Sequence, residues 1–448
     1  MHRLRAFFET FAAAAVAAVF ACFFGSAEPA ECNLQMGLQR SPVVCSAKGV
    51  CRFQILLEGV DQWLELSLYH RPARSNAPTL IVFAGGPGES VLDRRDDWIR
   101  RLDLPAHFGL ILMDPRGVAG NSLGSALQRL PEFQRETILR DNLKSKLLAE
   151  DLLHVLLNLR IERVIIYGVS YGTAPGLILA HQIEALQAAP NASTSPTRLT
   201  AIVLDSVLDR AEEGQQLGRR LAGSFNATLN RLTPIQRFRA RIKLSELAKF
   251  YQSQGNGVSP LNLLLQGLTV RRSNDPSLIG LLRLAQSIGG QELDRLREYV
   301  ESLAPLAPSM DQITFFHHVY CNDLTLDAAP GFPVVEWDQV SHRLKPSGTR
   351  SCDQPTTDLK FQSRNFKVRA PIVYLTGGED AATPRSYALS HAATQSSSVS
   401  LIEIFRATWG HAVLTGLTAQ CKLELWSVMA GDTSLNNSAF FSVQEKCK

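Results

Sequence analysis

The chain has 448 residues, 45% hydrophobic and 20% charged, a balance that argues against disorder and excludes collagen, coiled coil and a polytopic membrane protein. Its 46 basic and 42 acidic residues leave a net charge of +4, too thin an excess for the clustered basic face that nucleic-acid binding needs. The length fits about two to four domains, or one large core carrying an insertion.

Residues 1–27 have the layout of an export signal. His2, Arg3 and Arg5 form a basic start, an apolar run extends from Phe11 to Phe24, and Gly25-Ser26-Ala27 supplies small residues for cleavage. The run is about 14 residues, short of the roughly 20 that span a bilayer, so cleavage is expected over anchoring. The mature protein is then periplasmic or secreted, with no stable membrane association. Export gives the cysteines meaning, because disulfides persist in oxidising compartments. Beyond the signal, Cys32, Cys45 and Cys51 form one group, Cys321 and Cys352 a second, Cys421 and Cys447 a third. The expected bridges are Cys321–Cys352, Cys421–Cys447 and one among the first three, leaving one thiol free. Neither CxxC nor HExxH occurs, so no metal is expected.

Residues 50–70 alternate in polarity and predict an opening antiparallel hairpin. Apolar runs bounded by Gly, Pro or Asp follow at Leu80–Ala84, Leu110–Met113, Val164–Val169 and Ala201–Leu204, then at Ile372–Thr376 and Leu401–Phe405. Continuous runs of this kind suit strands covered on both faces of a parallel sheet. Between them, Ser145–Leu159 carries Leu147, Leu148, Leu152, Val155 and Leu156 at helical spacing, and Tyr171–Leu186 is a second helical stretch. Strands alternating with helices predict an α/β fold with a mostly parallel central sheet. From 208 to 367 the rhythm breaks: helical stretches such as Pro234–Gln252 and Gln291–Leu303 dominate, and strand-like runs are few. The predicted organisation is a signal peptide at 1–27, core at 28–207, a mainly helical cap inserted at 208–367, and returning core at 368–448. Ala189–Thr197 is expected to be a polar surface loop.

The chemistry centres on Val164-Ile165-Ile166-Tyr167-Gly168-Val169-Ser170-Tyr171-Gly172-Thr173, an apolar strand running through Gly-x-Ser-x-Gly into a helix. A nucleophile on so sharp a turn needs flanking glycines, because side chains there would meet neighbouring backbone. A serine hydroxyl also needs a base, and the chain order for this arrangement is Ser, acid, His. The strand Ile372–Thr376 leads into Gly377-Gly378-Glu379-Asp380-Ala381-Ala382-Thr383-Pro384, where Asp380 is the first choice for the acid and Glu379 the fallback. Of ten histidines, His411 alone follows the last strand at a Gly-flanked position, Trp409-Gly410-His411-Ala412, which makes it the base. After Leu80–Ala84 comes Gly85-Gly86-Pro87-Gly88, and the N–H of Gly86 is expected to join that of Tyr171 in an oxyanion hole. No GK[ST] follows those glycines, so a phosphate loop is a poor alternative.

Taken together, GGPG at 85–88, Asp114-Pro115-Arg116-Gly117, GVSYGT at 168–173, GGEDAATP at 377–384 and GHA at 410–412 resemble the proline iminopeptidase and tripeptidyl aminopeptidase family of α/β hydrolases. The resemblance covers roughly 75–207 and 368–448, and the insertion matches only in position and helical character. It implies an α/β-hydrolase fold, acylation of Ser170, His411 as base, Asp380 as orienting acid, and a cap that selects peptides with a free amino terminus. Asp114 and Arg116 would give structural support beside the site. Cap glutamates often hold the substrate ammonium in that family, and Glu212 and Glu213 could do so here, as could Glu292, Glu298 or Glu301. Ala84 stands where the iminopeptidases carry histidine, which weakens proline specificity. The expectation is an exported serine aminopeptidase needing no cofactor; an esterase or lipase using the same triad is the first alternative, and a non-catalytic binding protein the second.

Overall fold

The structure is a computed structural model that describes residues 39–431 except 75, 129, 189–196, 211–214, 253–264, 266–297, 299–308, 326–327, 331–333 and 353–359, together with Cys447. The expected export signal and Cys32 lie outside the described residues, as do all but Glu298 of the helix expected at Gln291–Leu303 and all but Thr197 of the Ala189–Thr197 loop.

Among the described residues the chain opens with β1 (Val44–Cys45), which pairs antiparallel with β2 (Val50–Leu56); β2 and β3 (Trp63–Arg71) form the antiparallel hairpin that the alternation predicts. In β2, Cys51, Phe53 and Ile55 are buried while Arg52 and Gln54 face solvent, the period-two pattern of a strand covered on one side. There follow β4 (Thr79–Phe83), α1 (Arg95–Leu102), β5 (Gly109–Met113), α2 (Gly124–Leu127), α3 (Glu132–Asn142), α4 (Ser145–Asn158), β6 (Arg163–Val169), α5 (Thr173–Ala188) and β7 (Arg198–Asp205). Nine strands make one sheet in the order β1-β2-β3-β5-β4-β6-β7-β12-β13, where β12 is Ile372–Gly377 and β13 is Leu401–Arg406. From β5 to β13 every pairing is parallel.

Successive residues of the central strands feed opposite cores, which is why these strands read as unbroken apolar runs. Ile81, Phe83, Ile166 and Ile202 face one side, packed with Leu148, Leu152 and Val155 of α4 and Leu177 of α5. Leu80, Val82, Ile165 and Val203 face the other, against Trp98 of α1 and Leu425 and Trp426 of a helix at Ala419–Met429.

Between β7 and β12 the chain leaves the sheet. Its neck is closed where Ser363 donates from backbone N–H and hydroxyl to Asp209, at 2.6 and 2.7 Å. The excursion contains α6 (Gln216–Asn230), α7 (Pro234–Gln252) and α8 (Met310–Val319), the last opened by a capping box between Ser309 and Gln312. It also contains two small antiparallel strand pairs that the sequence did not announce: the hairpin β9 (Val335–Asp338) with β10 (Arg343–Pro346), and, flanking it in the chain, β8 (Ala328–Pro330) with β11 (Thr349–Ser351). Strands of three or four residues are too short to show periodicity. Leu221, Phe225, Leu244, Phe316, Val335 and Trp337 give this part its own apolar cluster.

After β12 come α9 (Arg385–Thr394), β13 and α10 (Ala419–Met429). Cys321–Cys352 and Cys421–Cys447 are bonded as the grouping predicts, and Cys45–Cys51 is the bridge within the first group. Among the described residues no helix is long and apolar enough to cross a membrane.

Candidate active site

Parallel strands present all their C-terminal ends on one edge, and β6, β7, β12 and β13 are neighbours there. Ser170 directly follows β6, Asp205 ends β7, Asp380 lies just past β12 and His411 just past β13. The loop after β4 arrives beside them, because Phe83 pairs with Gly168.

Ser170 holds φ at +54°, a left-handed conformation that non-glycine residues adopt only where surroundings force it. The flanking glycines are what allow this. A methyl group on Gly168 would stand 2.6 Å from the carbonyl oxygen of Gly172, and one on Gly172 would run into the carbonyl of Phe83. Thr173 closes the turn by donating its hydroxyl to the Ser170 carbonyl at 2.7 Å. Gly85 packs on the serine, close enough that an added methyl would lie 3.2 Å from the Ser170 Cβ. Gly86 is exposed with φ at +111°, and Tyr171 is buried.

The expected acid, Asp380, and the expected base, His411, are joined directly. His411 Nδ1 lies 3.1 and 3.0 Å from the two carboxylate oxygens of Asp380, and 3.3 Å from the Thr383 hydroxyl. Asp380 also accepts from the backbone N–H of Ala382 and Thr383, each at 2.9 Å, and from the Thr383 hydroxyl at 2.8 Å. Burial alone would raise the Asp380 pKa, but the charge and hydrogen bond of His411, with the Thr383 contacts, outweigh it and hold the carboxyl below its ordinary value. Burial likewise favours a neutral His411, yet the charge and hydrogen bond of Asp380, then the charges of Asp205 and Glu89, raise it. Glu379, the fallback acid, instead points toward Arg231 at 3.6 Å. Gly377 has no room for a side chain because the carbonyls of Trp409 and Gly410 press on it, so the acid and base loops are in backbone contact.

Asp114 and Arg116 brace the surroundings. Asp114 accepts from the Ser90 hydroxyl at 2.7 Å and from the Val91 and Leu92 N–H groups at 2.6 and 3.3 Å, anchoring the chain just past Gly88. Burial outweighs these bonds and pushes Asp114 up to about 6. Arg116, 2% exposed, donates to Asp151 with Nε and Nη2 at 2.7 and 2.8 Å and to Asn142 at 3.2 Å.

The excursion between β7 and β12 grips the edge from both sides. Arg220 of α6 donates to the carbonyls of Ala381 and Ala382, both at 3.1 Å, beside the acid. Gln312 of α8 donates to the Gly88 carbonyl at 2.9 Å, and Phe315 meets Tyr171 edge-on. Asp323 accepts from the Ser145 N–H and hydroxyl at 2.7 and 2.6 Å, and that hydroxyl lies 3.0 Å from the phenol of Tyr171. Of the cap glutamates named above, Glu212, Glu213, Glu292 and Glu301 lie outside the described residues, and Glu298 is exposed.

Asp205, Thr383 and Glu89, none of them a candidate from the sequence, also act on this site. Asp205 had one available signal, a carboxylate closing the apolar run Ala201–Leu204 next to the nucleophile's strand. A small hollow next to the serine's turn, with room for no more than a water molecule, is lined by Gly85, Gly88, Glu89, Met113, Leu148 and Tyr171, among others.

Among solved structures the chain is similar to a proline iminopeptidase from Mycobacterium smegmatis, at 12% identity and a TM-score of 0.39, covering 84% of this chain and 97% of that one. It is also similar to an esterase from Exiguobacterium antarcticum, at 11% identity and a TM-score of 0.41, covering 84% and 98%. A proline iminopeptidase-related protein from Thermus thermophilus matches at 15% identity and a TM-score of 0.37, covering 91% and 100%. No curated protein matches the sequence. The profile of the alpha/beta hydrolase fold matches residues 78–412, a span that takes in Ser170, Asp380 and His411, and the chain belongs to that family.

Proposed function

We propose that this hydrolase is an exported serine aminopeptidase that removes one or a few residues from peptide amino termini. Ser170 is the nucleophile, His411 the general base, Asp380 the acid that orients it, and the N–H groups of Gly86 and Tyr171 receive the oxyanion. The observation that carries the reading is the Asp380–His411 pair at 3.0 Å on the sheet edge where Ser170 sits in its left-handed turn. With Nδ1 committed to Asp380, Nε2 is the nitrogen left to accept the serine proton.

The Ser170 oxygen attacks the scissile carbonyl as its proton passes to His411, giving an oxyanion and an imidazolium paired with Asp380. His411 returns the proton to the leaving amine, and the C–N bond breaks. Water then loses a proton to His411, attacks the acyl ester and releases Ser170 with its proton restored. The peptidase assignment rests on the five-motif resemblance and on a cap whose helices hold the loops around the acid and around Gly88. Export rests on the layout of residues 1–27 and agrees with three disulfides.

Paired peptides with free and acetylated amino termini test the specificity. Strong preference for the free amine is the expected result. Equal cleavage of both, with faster hydrolysis of simple esters, would replace the peptidase reading with an esterase.

A further inference from the structure

Asp205 is fully buried at the end of β7, between the strand of the serine and the strand of the acid, pairing with Val169 on one side and Leu375 on the other. One carboxylate oxygen accepts the Val413 N–H at 2.7 Å; the other accepts the Leu414 N–H at 2.9 Å and the Tyr167 hydroxyl at 3.0 Å. The next residue, Ser206, accepts the Ala412 N–H on its hydroxyl at 2.9 Å and lies 3.3 Å from Asp205 as a donor. Ala412 has φ at +59°, so the chain turns sharply just after the base and offers three successive N–H groups to this pair. Tyr167, in turn, lies three residues before Ser170 on β6.

We infer that Asp205 is a positioning residue, tying the loop of His411 to the strand of Ser170 and so fixing the base relative to the nucleophile. The inference rests on the serine-hydrolase reading. Burying a carboxylate is costly unless donors surround it, and the four donors found here are all neutral N–H or O–H groups. A neutral acceptor could anchor the loop alone. A full negative charge does something more, because it also stabilises the imidazolium that forms when the serine gives up its proton. Three anions act on that ring: Asp380 from the loop after β12, Asp205 from β7 and Glu89 from the loop after β4, and all three raise its pKa. Burial pushes Asp205 itself up to about 6, while the Leu414 and Val413 N–H groups, the Tyr167 hydroxyl and the charge of His411 favour its charged form.

The test uses the full chain and follows the rate of fluorophosphonate labelling of Ser170 against pH, with melting temperature measured alongside. In Asp205→Asn the loop is misplaced and one charge is lost. Labelling is expected to slow roughly 10–100-fold at its optimum, since small misplacements near the reacting atoms have effects of that size. Its acid limb should also move to lower pH, because one of the charges that raise the His411 pKa is gone. The shift in the limb is what a purely structural anchor would not produce. Ser206→Ala and Tyr167→Phe each remove one tie and keep the charge, and are expected to slow labelling less while leaving the limb in place. If Asp205→Asn does not fold, these two decide: slowed labelling in both supports the assignment, and parental rates in both overturn it. A folded Asp205→Asn protein with parental rate and limb overturns it as well. A parent chain that fails to label rejects the serine reading instead, so the two failures are distinguishable.

Discussion

Replacing Asp380 with asparagine separates orientation of the base from stability of the fold. One carboxylate oxygen holds the Ala382 and Thr383 N–H groups at 2.9 Å, and the other accepts the Thr383 hydroxyl at 2.8 Å. Asparagine can keep its carbonyl on the two amides, and the Thr383 hydroxyl can turn to accept from the new NH2. The loop therefore retains its bonds, and the loss of stability should be about 1–2 kcal/mol. The same NH2 then faces His411 Nδ1, which must become an acceptor, so the ring proton moves to Nε2. A ring protonated there cannot take the serine proton. In serine proteases that tautomer error lowers kcat about 10⁴-fold; the same substitution here should slow both fluorophosphonate labelling and peptide turnover at least about 10³-fold. Labelling rate and urea midpoint measured on one preparation provide the assay. A folded variant that labels within tenfold of the parent would refute the reasoning, because Asp380 would then not set the tautomer.

Two further outcomes follow from the same geometry. A general base works only when neutral, and the neighbours of His411 raise its pKa, so on the proposed mechanism kcat/KM should rise with pH through a midpoint above the ordinary histidine value; a midpoint below that value would contradict the paired site. Gly172→Ala places a methyl against the Phe83 carbonyl, where only backbone can yield, and should lower stability by about 1–3 kcal/mol in urea titration while abolishing labelling; a parental midpoint would show that the elbow has slack.

Physical signal strength decided what could be read before the structure. The strands β4, β5, β6, β7 and β12 are covered on both faces, so Thr79–Phe83 and Ile372–Gly377 announce themselves as apolar runs. The opening hairpin shows by alternation because one of its faces meets water. The strands of the β9–β10 and β8–β11 pairs are three or four residues each and give no period. At the site, Ser170, Asp380 and His411 stand at glycine-flanked strand ends, where composition marks a turn. Asp205 sits at a strand end without that marking, and its meaning depends on Val413 and Leu414, some 200 residues away. Thr383 and Glu89 likewise acquire a role only when loops from different strands meet.

The central claim is that Ser170 is made nucleophilic by His411, held in turn by Asp380. Fluorophosphonate labelling with mass-spectrometric mapping of the modified residue tests it most directly. A single adduct on Ser170, absent in Ser170→Ala and slowed at least about 10³-fold in His411→Ala, is the predicted result. Labelling elsewhere, or an adduct on Ser170 that forms equally fast without His411, would contradict the account.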